Sequence, residues 1–195
     1  MDNSQLQYIE SLFQKNKGYL RSKDLDKNRK MYYELKSLLE NGIVEKIKTG
    51  LYKHNRFVIH NEWVDVCKIY PQGVLCLYSA WHYFELTTHI PFEYHIAIPN
   101  KLKLKEYEYP PIKFHYWNNK NYEMEIVKID EMHIYSLEKS VCDAIKFKTK
   151  IGIDTLKEVI NNYLKRKDRN LDKLFEISKE MKIEKITREY IDTFI

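Results

Sequence analysis

Two apolar stripes at helical spacing, followed by a turn-linked pair of strands, fill the first 57 residues. Their order restricts the fold more than any other feature of the chain. Leu6, Ile9, Leu12 and Phe13 recur on one helix face. Ser4 is placed to cap that helix and Gly18 to end it. Gly18-Tyr19-Leu20-Arg21 is too short for a helix, and Ser22 can cap a short one running through Leu25. Met31, Leu35, Leu38 and Leu39 then fall at i, i+4, i+7 and i+8, a second stripe. Asn41-Gly42 supplies the usual helix stop. Residues 43–47 read as a strand, Lys48-Thr49-Gly50 as a turn and 51–53 as the returning strand. Helix, short helix, helix and hairpin, in that order, predict a winged helix-turn-helix over residues 1–57.

Charge follows the same division. The chain has 195 residues and a net charge of +5. Residues 1–57 hold 12 Lys/Arg against 7 Asp/Glu, and the remainder holds 21 of each. The whole excess therefore lies in the first third, as expected of a segment facing nucleic acid joined to a neutral one. A solvated basic face is the plainer alternative, so the pattern of residues has to decide. At 100° per residue, the face opposite the Met31–Leu39 stripe carries Arg29, Lys30, Tyr33, Lys36 and Ser37, with Asn28 and Arg29 at its N-terminal end. Arg and Lys can neutralise phosphates or read guanine edges, and Tyr and Ser can donate to phosphate oxygens. The hairpin adds Lys46, Lys48, Thr49 and Lys53 as contacts of a wing. A small helical subdomain that binds protein is the competing reading.

Other classes are excluded or disfavoured. No window approaches the roughly 18–20 consecutive apolar residues of a membrane span, and the polar first ten residues do not resemble a secretory leader. Cys67, Cys76 and Cys142 lie far apart, which argues against a zinc ribbon and against a disulfide framework. A cytoplasmic protein is expected.

Residues 62–195 predict a second, α/β domain (α+β in arrangement): a small sheet flanked by helices, with a helical C-terminus. The linker is expected at 56–61. Helices are expected at 62–70, with Trp63, Val66, Cys67 and Tyr70 on one face, and at 74–86, after a break at Pro71-Gln72-Gly73. Residues 94–98 and 112–117 read as strands joined by a connector at 102–108. Asn118-Asn119-Lys120-Asn121 reads as a hairpin turn leading to a strand at 122–129. Helices follow at 137–147, capped by Ser136, then at 154–164, 171–181 and 188–194. Chemistry is sparse here. His82 and Glu85 share a helix, with His89 and His95 nearby, but no third metal ligand is announced. Glu138 and Asp143 lie five apart, off a common face, and Ser79 lacks a nucleophile context. No catalytic residue, metal or cofactor is expected. The basic run 165–169 reads as a solvated loop, or as a contact with flanking DNA or an acidic protein surface.

Three stretches carry a family resemblance. Asn41-Gly42-Ile43-Val44-Glu45-Lys46-Ile47-Lys48-Thr49-Gly50-Leu51-Tyr52 resembles the wing of AbiEi-type antitoxins, with Gly50 and Tyr52 matching their Gly-x-Tyr. Leu75-Cys76-Leu77-Tyr78-Ser79-Ala80-Trp81-His82-Tyr83-Phe84-Glu85-Leu86-Thr87 resembles a family helix that is followed by a strand, here one ending at Pro99. Tyr135-Ser136-Leu137-Glu138-Lys139-Ser140-Val141-Cys142-Asp143 resembles a family helix start, with Lys139 in place of Arg and Ser140 in place of Thr. The resemblance covers about residues 5–190. It implies an antitoxin of a type IV toxin–antitoxin pair linked to abortive phage infection. Such a protein represses its own operator on double-stranded DNA and counters a nucleotidyltransferase-like toxin, directly or indirectly. Two other functions compete: a nucleic-acid-targeted enzyme with a winged-helix module, which would need a catalytic cluster, and a protein-interaction adaptor without DNA.

Overall fold

A computed structural model describes residues 3–25, 28–58, 61–105 and 107–194. Residues 59 and 60 of the expected linker and residue 106 of the expected connector lie outside the described residues. The chain divides into two compact units, Met1–Ile69 and Tyr70–Ile195.

In the first unit, α1 (Asn3–Lys15) buries Ile9 and Phe13 completely. Ser4 lies inside this helix rather than at its cap. The chain leaves α1 through Lys17 and Gly18, both at positive φ. A Cβ on Gly18 would sit 2.9 Å from the Phe57 carbonyl, so close approach and backbone conformation both demand glycine there. Tyr19–Arg21, unassigned from sequence, form strand β1. A 3₁₀ turn over Ser22–Leu25 follows, burying Leu25. Helix α2 (Arg29–Glu40) buries Met31, Leu35 and Leu38 and ends at Asn41 and a positive-φ Gly42. Strands β2 (Val44–Lys48) and β3 (Leu51–His54) close a three-stranded antiparallel sheet of order β1-β3-β2. Ile9, Phe13, Leu20, Leu25, Met31, Leu35, Leu38 and Val44 share one core. Helix, strand, short helix, helix and two-stranded wing fit the winged-helix arrangement.

The domain boundary differs from expectation. Helix α3 (Glu62–Ile69) belongs to the first unit, not to the second. Its Asp65 accepts hydrogen bonds from the Tyr19 hydroxyl and the Lys53 ammonium, both at 2.7 Å. The Lys68 carbonyl accepts from the Arg21 guanidinium at 2.9 Å, and the Ile69 carbonyl from Lys48 Nζ at 2.6 Å. The wing sheet thus holds α3 by its polar groups, a link that an apolar-pattern reading does not register. The break at 71–73 marks the boundary better than 56–61.

The second unit is built on a mixed five-stranded sheet of order β6-β5-β4-β8-β7. Its strands are β4 (Val74–Leu75), β5 (Tyr94–Pro99), β6 (Ile112–Trp117), β7 (Ile126–Ile129) and β8 (Met132–Tyr135). The expected 74–86 helix is split: Val74 and Leu75 form the central strand, and only Leu77–Tyr83 (α4) is helical. β4 lies between β5 and β8, and a strand buried on both faces is a continuous apolar run that periodicity cannot separate from a buried helix. The expected hairpin at 118–121 is absent. β5 and β6 are parallel, and β6 and β7 occupy opposite edges. Asn118 instead caps α5 (Asn119–Glu123), its Oδ1 accepting from the Asn121 amide. Asparagine suits both turns and N-caps, which is why the two were confused.

Helix α6 (Leu137–Lys146), capped by Ser136 as expected, is buried along most of its length. Helices α8 (Ile153–Lys165) and α9 (Leu171–Glu180) follow the expected ones closely, α10 (Glu184–Phe194) starts one turn before the expected 188, and a short α7 (Lys148–Ile151) precedes them. Trp81, Tyr135, Val141, Leu156, Ile160, Tyr163 and Leu174 lie in their common core. The chain is a mixed α/β protein with a helical C-terminus. Among the described residues no helix is long and apolar enough to cross a membrane.

Candidate nucleic-acid interface

Helix α2 starts at Arg29 because Asn28 caps it: the Asn28 side chain accepts from the Lys30 amide at 3.0 Å. With Met31, Leu35 and Leu38 turned inward, Arg29, Lys30, Tyr33 and Lys36 are turned out, and Tyr33 is 72% exposed. Lys36 forms only a solvent-facing pair with Glu40 at 3.6 Å, which phosphate can displace at little cost. Ser37 is half-buried, and its carbonyl accepts from the Asn41 amide and side chain. Asn28 and Ser37 thus serve the ends of the helix, and the cationic face consists of Arg29, Lys30 and Lys36 around Tyr33. Tyr32, not singled out from sequence, donates its hydroxyl to the Ser22 carbonyl at 3.0 Å and ties α2 to the 3₁₀ turn.

The wing divides. Lys46 and Thr49 are exposed. Lys48 is half-buried on the Ile69 carbonyl, and burial, with Arg21 beside it, lowers its pKa. Lys53 is buried, in ion pairs with Asp65 at 2.7 Å and Glu45 at 3.7 Å. Neither is a phosphate contact in this arrangement. They fasten the sheet to α3. The two-residue period of a strand carried the signal: Lys53 falls on the same face as Leu51, which is fully buried.

In the second unit, Lys139 and Asp143 form a buried ion pair at 2.6 Å on α6. The ammonium also lies over the Trp117 and Tyr135 rings. Lys139 reaches only one carboxylate oxygen, and Asp143 Oδ2 has no partner among the described residues. Glu138 is buried too, accepting from the Asn170 amide at 3.2 Å. In the 165–169 run, Arg166 grips Asp168 with two 2.8 Å bonds and donates to the Phe84 carbonyl. Lys165 and Lys167 remain exposed there. Among the described residues no group of three or more His, Cys, Asp or Glu is placed to hold a metal.

His95 and His115 form a pair that the sequence did not announce, with His95 Nδ1 and His115 Nε2 3.0 Å apart on neighbouring parallel strands. Burial, then the charge of the other ring, pushes His95 down to about 4. Burial, then Lys113, does the same to His115, also to about 4. Each folded pKa lies below the unfolded value of about 6.5. Stability from this pair is therefore complete above about pH 6.5 and is lost as pH falls toward 4, because the unfolded chain binds the extra protons. Thermal melts between about pH 7 and pH 5 should show a smaller fall in Tm for His115→Gln than for the wild type, and equal falls would refute the assignment.

No protein-family model matches this chain, and comparison with curated proteins finds no relative.

Proposed function

We propose that the protein binds double-stranded DNA through α2 and the tip of the wing, represses its own operator, and acts in the cytoplasm as the antitoxin of a type IV toxin–antitoxin pair. The supporting observation is α2 itself, whose apolar stripe is buried while Arg29, Lys30, Tyr33 and Lys36 face solvent, as do Lys46 and Thr49 of the wing. The antitoxin role, against a nucleotidyltransferase-like toxin, rests on the sequence resemblance at 41–52, 75–87 and 135–143.

The test uses the full chain and the DNA upstream of its own reading frame. If Lys30, Lys36 and Lys46 each neutralise one phosphate, log K falls against log salt with a slope of about −3. Lys46→Ala should make that slope shallower by about one and weaken specific and random DNA alike. Binding that is indifferent to salt would overturn the reading. For the antitoxin role, a nucleotidyltransferase-like reading frame is expected next to this chain's own, and coexpression of the two should relieve the growth arrest that frame causes alone.

A further inference from the structure

Strand β6 ends the sheet on one side, and β5 is the one strand paired with it among the described residues. The two hydrogen bonds that bracket the pair fix which way its backbone faces. The Tyr94 amide donates to the Pro111 carbonyl, and the Asn100 amide to the Trp117 carbonyl. In a parallel ladder this alternation directs residues 111, 113, 115 and 117 toward β5. The N–H and C=O groups of Ile112, Phe114 and Tyr116 therefore point outward. Among the described residues no hydrogen bond from outside the sheet reaches them. The Lys105 carbonyl of the 100–111 connection accepts from the Tyr70 hydroxyl, and the Tyr70 ring packs on Tyr107 and Phe114.

The outward edge is self-complementary. We propose that β6 pairs antiparallel with β6 of a second copy of this chain, about a two-fold axis at Phe114. Outward residues can exchange bonds only with outward residues, so Phe114 faces Phe114 and Ile112 faces Tyr116 of the other copy. Those cross-strand pairs are apolar and aromatic, the kind that stabilises a ladder. On the opposite face Lys113 meets His115 of the second copy, and Lys113 is already neutralised by Glu93 at 3.1 Å. No two like carboxylates or ammonium groups stand opposite each other. Tyr116 is 52% exposed in the single chain, so pairing removes apolar surface from water. Lys113 is the one protective charge within the edge, which has no proline and no bulge. The opposite edge, β7, is shorter, with four residues against six. The proposal does not rest on DNA binding by the first unit. A single strand pair covers less than the roughly 800 Å² per partner of a standard interface, so the dimer is concentration-dependent.

Sedimentation velocity over a concentration series, without DNA, tests it. The wild type should shift from monomer to dimer as concentration rises. Two double variants then probe the register at equal loss of apolar surface. Ile112→Lys with Tyr116→Lys sets like charges opposite each other and should stay monomeric. Ile112→Glu with Tyr116→Lys sets opposite charges together and should dimerise, with an association that weakens in salt. Far-UV circular dichroism confirms that each variant is folded. If one double variant does not fold, Phe114→Cys replaces the pair and should give a disulfide-linked dimer on oxidation. A wild type that is monomeric up to about 1 mM overturns the proposal. So do two folded double variants that associate equally, or a Phe114→Cys chain that forms no crosslink.

Discussion

Asp143→Ala should destabilise the second unit by about 3–5 kcal/mol, because it leaves the Lys139 ammonium buried without its counter-ion. Both side chains are essentially inaccessible, at 0% and 2% exposure, so water cannot replace the lost carboxylate. The Trp117 and Tyr135 rings contact the ammonium but supply only a cation–π attraction, worth far less than an ion pair in a dry site. Replacing both partners, Lys139→Met with Asp143→Leu, should come within about 1–2 kcal/mol of the wild type, since the desolvation cost of both charges disappears with the pair. Urea unfolding of the single and double variants measures the difference. A single variant as stable as the double one would show that the pair is not buried as described. The Lys139 ammonium meets one carboxylate oxygen, and Asp143 Oδ2 is left without a partner among the described residues, whereas a guanidinium fork can meet two carboxylate oxygens.

Leu35→Ala should cost about 2–5 kcal/mol in the first unit. Leu35 is 2% exposed and lies in the core that joins α1, α2 and the wing. Truncation removes its transfer energy and leaves a cavity between helices that cannot fully close. The loss should appear in the first unit's unfolding, with the exposed side chains of α2 unaltered. A cost below about 1 kcal/mol would place Leu35 outside that core.

Much of the first unit was legible because its elements are amphipathic and its stops are chemical. Gly18, Asn41-Gly42 and Gly50 all sit at element ends. β1 was missed because three residues give no period to read. Lys48 and Lys53 were misassigned because a basic residue in a wing was taken as exposed, although Lys53 shares a strand face with buried Leu51. The helical half of the second unit was legible for the same reason as α2: one polar and one apolar face, with Ser136 as an unambiguous cap. Its sheet was not. Val74 and Leu75 lie within a longer apolar run, and β8 is a short segment buried at Met132, Ile134 and Tyr135 that was not assigned. The order of five strands is set by long-range pairing, which local spacing does not encode. The Lys139–Asp143 pair is legible in the sequence, since i and i+4 share a helix face.

Arg29→Ala separates base reading by α2 from the folding of the first unit. Arg29 is exposed at the start of α2, the end that enters the major groove in helix-turn-helix proteins. A guanidinium there can bond both guanine acceptors at once, discriminating by about 1–3 kcal/mol. The measurement is operator affinity and Tm on the same Arg29→Ala preparation. The account predicts a loss of specific affinity of about tenfold with relaxed preference at one base pair, and a stability change within about 0.5 kcal/mol. An Arg29→Ala protein that unfolds, or that binds every sequence as the wild type does, would contradict the placement of α2 in the groove.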